Sequence, residues 1–286
     1  MTPVAASGVR RSVIAGSWYP GDPTELRSTV ARFLDKVPSE RPEGELVGLV
    51  APHAGYMYSG QVAAFAYAQL RREAFDKVVI ISPVHRIYPG RFAVTDKAYY
   101  ETPLGTVPVD VDLVAALGRR IALNRVAQDM EHSLEIQLPF LQHVLGSFSL
   151  TPIMMGEQDW ESAAELGDAI AKAIAEAPPT GASQPRKNPL LVASTDLSHF
   201  HPYDQAVRLD QAVLERIAAY DPQGLATALA THKAEACGAG PVMAVMVAAE
   251  QLGARRAVVL KYMNSGDVTG DRSSVVGYAA AALLRD

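Results

Sequence analysis

Three histidines stand at matching places in the chain. His53 follows the apolar run LVGLV in Ala51-Pro52-His53-Ala54-Gly55-Tyr56, and His85 follows VVII in Ser82-Pro83-Val84-His85-Arg86. His199 follows LLVA in Ser194-Thr195-Asp196-Leu197-Ser198-His199. Each lies two to six residues beyond its run, and together they are three of only seven histidines. A lone histidine after a strand is usually a loop residue bonded to backbone; the repetition points instead to one shared site. Neutral imidazole is a ligand for zinc, iron, copper and nickel, and two histidines need at least one further donor. The sole cysteine, Cys237, lies just before a helical pattern, where the helix N-terminus favours thiolate. Its alternative reading is a small buried apolar residue.

Other residues can support such a centre. Asp196 and His199 can form an acid–base pair with the carboxylate orienting the ring, or Asp196 can cap a helix. His132 and Glu135, three apart on a helical pattern, share a face that is either a surface pair or part of a cleft wall. Trp18 in Gly16-Ser17-Trp18-Tyr19-Pro20 and Tyr56 beyond His53 are aromatics that close a core or line a pocket. Asp267 and Asp271 read as turn acids before metal ligands.

The elements that must position these residues alternate. The runs at 46–50, 78–81, 190–193 and 257–260 are apolar on both faces and read as strands covered on both sides of a parallel or mixed sheet. A weaker strand falls at 150–154, and 274–281 is a last strand or a helix. In an open α/β sheet, ligands bind beyond the carboxyl ends of parallel strands, so parallel strands would bring His53, His85 and His199 to one edge. Helical patterns cover 160–177, 203–220, 222–231 and 240–252. Asp22-Pro23-Thr24-Glu25 opens another; Ser59 can cap one to about 72, and Asp129 one to about 143. Residues 91–100 and 107–111, joined through Pro103-Leu104-Gly105, read as a hairpin on the main sheet. The breaker-rich stretch 177–189 reads as a mobile surface loop within a single α/β domain spanning 1–286.

Composition narrows the function. The formal net charge is -5, and no glycine-rich phosphate loop is present, which argues against a nucleic-acid or nucleotide binder. One cysteine precludes an intrachain disulfide. The N-terminus lacks a signal-peptide core, and the most apolar stretches fall far short of the roughly 18 residues of a membrane span. The expectation is a cytoplasmic protein with no membrane partner.

Taken together, AGSWYP, APHAGYMYSG, SPVHR, YETPLGTVPVD, EHSLEIQLPFL, ASTDLSHF, ACGAGP and NSGDVTGDRSSVVGYAA resemble, in order and along nearly the whole chain, the Memo family. Its bacterial and archaeal members are often called protein B of the AmmeMemoRadiSam system, which implies AMMECR1-like and radical-SAM proteins as partners. The Memo fold is similar to that of class III non-haem iron extradiol dioxygenases, a central sheet flanked by helices with a cleft at the strand ends. The resemblance implies that His53 and His85 bind metal, that His199 is the cleft acid–base, and that Trp18 lies beside the cleft. Cys237 matches a Memo cysteine that stands where the dioxygenases place a glutamate ligand. Iron(II) is the implied metal, but a thiolate also suits copper or zinc and is more readily oxidised. Three functions remain open: metal-dependent redox or dioxygenase-like chemistry on a small molecule, a non-catalytic module for a peptide or small ligand, and zinc hydrolysis.

Overall fold

The computed structural model describes residues 7–71, 73–176 and 188–286, so nearly all of the expected surface loop at 177–189 lies outside them. The strands are β1 (Val9–Arg10), β2 (Glu45–Ala51), β3 (Lys77–Pro83), β4 (Phe92–Thr95), β5 (Tyr99–Thr102), β6 (Gly105–Pro108), β7 (Asn124–Val126), β8 (Ser149–Met155), β9 (Leu190–Ser194), β10 (His199–His201), β11 (Arg256–Asn264) and β12 (Val275–Arg285). The helices are α1 (Pro23–Asp35), α2 (Tyr56–Tyr67), α3 (Val111–Gly118), α4 (His132–Glu135), α5 (Leu138–Leu145), α6 (Trp160–Glu176), α7 (Tyr203–Ala218), α8 (Pro222–Ala230), α9 (Ala239–Gln251) and α10 (Ser265–Thr269). The class is mixed α/β, as the alternating patterns require, and the large helix-flanked sheet is compatible with the dioxygenase-like fold.

The main sheet runs β10-β12-β2-β9-β3-β8-β4-β7, with β11 also on β12. Its centre, β2-β9-β3-β8, is parallel, and β12 and β4 flank it antiparallel. The central strands are buried along almost their whole length, which explains their lack of polar alternation. Helix α9, apolar on every side, packs over β2, β3 and β9, and α2 packs against β12, β11 and β2. Among the described residues no helix is long and apolar enough to cross a membrane.

Four local expectations need correction. The strand expected at 257–260 belongs to β11, which pairs only with β12 and is half-buried along most of its length, so one edge strand carries apolar residues without full cover. The expected hairpin is split: β4 joins the main sheet beside β8, whereas β5 and β6 pair in a separate small sheet with β1. Val111 starts a helix because the Asp110 carboxylate accepts from the Leu113 amide at 3.0 Å. Ser59 does not cap α2; the helix starts after Gly55, and the Ser59 hydroxyl bonds the Ala54 carbonyl at 2.8 Å. Nor does Asp129 open one long helix. Glu131 caps α4, and a new helix begins at Leu138, because Pro139 has no amide with which to continue the ladder.

Candidate metal-binding cleft

Strands β2, β9 and β3 are adjacent and parallel, so their carboxyl ends deliver His53, His199 and His85 to one edge. A cavity of about 970 Å³ opens there. Its lining includes Trp18, Tyr56, His132 and Asp196 with the three histidines. Cys237 arrives from the loop before α9. Its amide donates to the Asp196 carbonyl at 3.2 Å. Gly238 makes that docking feasible, since a Cβ there would stand 2.2 Å from the Ser194 carbonyl oxygen. The sulfur ends 3.1 Å from His53 Nε2.

The donor atoms of His53, His85 and Cys237 all lie within 4.8 Å of one another. Bonds of about 2.0–2.3 Å to a zinc-like ion hold donors roughly 3–4 Å apart, so small side-chain adjustments suffice. The rings are also prepared for such a role. His53 Nδ1 meets Ser194 Oγ at 3.0 Å, and His85 Nδ1 meets Glu131 Oε1 at 3.0 Å. Each imidazole therefore spends Nδ1 on the protein and keeps Nε2 as its remaining donor. A carboxylate, backbone carbonyl or water behind the ring is the usual support of a metal-binding histidine; here Glu131 is that carboxylate and the Ser194 hydroxyl takes the same place. By donor chemistry and by ring support, the residues present fit a metal ion.

Burial sets the protonation of the cleft. It drives His53 well below the ordinary histidine value, with His85 and His132 adding to the effect, and lowers His199 too. It pushes Asp196 up to about 7, against the His53 and Ala54 amides, whose bonds to the carboxylate oppose the rise. Burial also raises the Cys237 thiol, and the Asp196 charge adds to this. That corrects the expectation of a thiol acidified by its helix: in this dry setting, desolvation outweighs the helix terminus. For Glu131 burial pulls upward, but bonds from the His85 ring and amide and the Ser133 amide bring it down to about 2.

Asp196 is placed differently from the expected pairing. Its carboxylate accepts from the His53 amide at 2.7 Å, and the His199 ring has no hydrogen bond to it among the described residues. Glu235 steadies the segment: its carboxylate accepts from the His199 amide at 3.0 Å and meets His201 Nε2 at 2.7 Å. Between them Phe200 takes φ 61° and stands 75% exposed at the cavity rim. His132 faces the cleft, with the Trp18 ring tilted against it at 4.3 Å and the His85 ring at 4.7 Å. Burial lowers it to about 4. Glu135 points away from this face, against the expected pairing, because Arg10, Ser12 and Tyr19 bind it on the far side. Tyr56 lines the wall, but its hydroxyl donates to the Ile136 carbonyl at 2.9 Å. Asp267 and Asp271 are turn acids: the first completes the capping box of α10 and the second accepts from Ser273.

No positional role for Ser194, Glu131, Glu235 or Phe200 is readable from the sequence alone. Glu131 was the most accessible of these, being a carboxylate beside a histidine at a helix start. Nothing local links it to His85, 46 positions away.

A helix-flanked mixed sheet with histidines and one thiol converging at its carboxyl edge defines an α/β protein with a cleft at that edge. The family model described as Memo-like protein matches residues 10–282. A MEMO1 family protein of Methanopyrus kandleri is 39% identical over 96% of this chain and 99% of its own length. One of Methanothermobacter thermautotrophicus is 39% identical over 95% and 99%, and one of Sulfolobus acidocaldarius 35% over 94% and 97%. The chain belongs to the Memo family.

Proposed function

We propose that the cleft binds one redox-active metal ion through His53, His85 and Cys237, iron(II) first and copper second, and acts on a small organic molecule. One observation carries this reading: two imidazoles, His53 buried and His85 more open, each spend Nδ1 on a supporting oxygen, leaving Nε2 as the donor, with the sole thiol 3.1 Å from His53. A bound iron or copper ion would supply one-electron chemistry and Lewis acidity. The protein's own groups do the rest. Ser194 and Glu131 orient the two ligand rings. Trp18, Met57 and Phe200 hold the apolar part of a ligand and limit water. His199, whose backbone amide is held by Glu235, lines the cavity and holds a proton on its ring or takes one there.

The test is anaerobic purification followed by separate loading with Fe(II), Cu(I) and Zn(II), with metal per chain measured by mass spectrometry. One equivalent is expected, and it should be lost in His53→Ala, His85→Ala and Cys237→Ala. No retained metal under any loading condition sinks the reading. Preference for zinc, with turnover in the absence of oxygen, would move the assignment to hydrolysis, since two histidines and a cysteine with an open position also make a catalytic zinc set.

A second reading is a cleft that holds a peptide or small acidic ligand without turnover. The size of the cavity, near the upper end of the roughly 300–1,000 Å³ common for ligand sites, and the exposed Met57 and Phe200 at its rim favour it. It requires ligand affinity that survives a chelator.

A further inference from the structure

A buried chain of hydrogen bonds behind His53 has a fixed direction. Gln137 Nε2 lies 3.1 Å from the Pro52 carbonyl oxygen and 2.8 Å from Ser194 Oγ, and Tyr67 OH lies 2.7 Å from Gln137 Oε1. A backbone carbonyl can only accept, so the amide nitrogen must face Pro52 and its second proton goes to Ser194. Ser194 Oγ in turn lies 2.6 Å from the Ser133 carbonyl oxygen, which also can only accept, so the hydroxyl's single proton is committed there. Ser194 Oγ has nothing left to offer His53 Nδ1 at 3.0 Å except a lone pair. Gln137 and Ser194 are both essentially fully buried, and water cannot substitute for these partners.

We propose that Ser194 and Gln137 are positioning residues that lock His53 in its Nδ1–H tautomer, so that a bare Nε2 faces the cleft before any ligand arrives. Two carbonyls, Pro52 and Ser133, anchor the polarity at both ends. The Cys237 sulfur lies 3.1 Å from Nε2, a position from which an S–H can point at the lone pair that this tautomer leaves there. The wrong tautomer would place an N–H where a ligand must be accepted. The usefulness of this device rests on the metal reading above, but the tautomer itself does not.

The test uses the full chain, metal-free and labelled with ¹⁵N-histidine, and reads His53 by long-range ¹H–¹⁵N correlation. The wild type should show a protonated Nδ1 and an unprotonated Nε2. Ser194→Ala and Gln137→Leu should each give a mixture of tautomers, with Co(II) binding weakened roughly 10- to 100-fold, the usual range for losing such support. Ser194→Thr keeps a hydroxyl and should restore the single tautomer if either truncation folds poorly. Wild-type protein with its proton on Nε2, or variants that keep one tautomer and full Co(II) affinity, overturns the proposal. The stated tautomer in a wild-type protein that takes up no metal leaves the inference standing and removes the metal reading instead.

Discussion

Helix α4 divides two clusters of ionisable groups that solve opposite problems. On one side, Glu135 sits in a closed network with the Arg10 guanidinium, Ser12 Oγ at 2.5 Å, Tyr19 OH at 2.6 Å and the Val13 amide at 2.9 Å. Asp129 joins it through Tyr100 OH at 2.6 Å and as an ion pair 3.4 Å from Arg10 Nε, the one atom of this network left without a hydrogen bond among the described residues. On the other side, His132 shows its ring to the cavity, and its Nδ1, buried without a hydrogen bond, lies 3.2 Å from a misaligned Glu131 oxygen. The first cluster sets the Arg10 guanidinium against the Glu135 and Asp129 carboxylates and fixes the N-terminal segment that carries Trp18. The second leaves imidazole nitrogens unspent beside a thiol. Buried polar groups are normally paired, so the cluster that stays open is the one shaped for something other than itself.

The largest expected effect breaks the closed side. Glu135→Ala leaves Arg10 buried with only Asp129 to offset it, and should cost about 3–5 kcal/mol in urea unfolding of the metal-free protein. A loss below about 1 kcal/mol would mean that the cluster behaves as a surface pair and that the contrast is false. A smaller effect sharpens the open side. Glu131→Gln keeps the shape but weakens the charge support of His85, so metal affinity should fall roughly 10- to 100-fold, by titration against a competing chelator. Unchanged affinity would show that His85 needs no carboxylate behind it. The smallest effect concerns the rim. Left-handed backbone costs a bulky residue about 1–2 kcal/mol, and only glycine escapes that cost. Phe200→Gly should therefore be neutral or stabilising by up to about 1 kcal/mol in thermal unfolding, while ligand retention in the cleft falls. A destabilised Phe200→Gly with intact ligand binding would make Phe200 a packing residue.

Much of this was legible locally. The four apolar runs without alternation fall on β2, β3, β9 and β11, although the last, at 257–260, is only half covered. The Asp22-Pro23 start of α1 is as written, with Asp22 Oδ1 accepting from Thr24 and Glu25. Helix starts at Ser59 and Asp129 misled because a serine or aspartate bonds whichever backbone group is nearest, and these two found the Ala54 carbonyl and the Glu131 amide. The histidines after three strands were readable as one edge; their ring supports were not.

By itself the sequence determined the class of fold and the edge at which His53, His85 and His199 gather, because strand burial and strand ends are written in local hydrophobic pattern. Only the tertiary structure decided which partner each polar atom meets. It set Glu131 behind His85, Ser194 behind His53 and Glu235 under His199, and it desolvated the Cys237 thiol, which raises its pKa. Those outcomes depend on distances between residues 36 to 184 positions apart. Packing fixes such distances, and no periodicity along the chain records them.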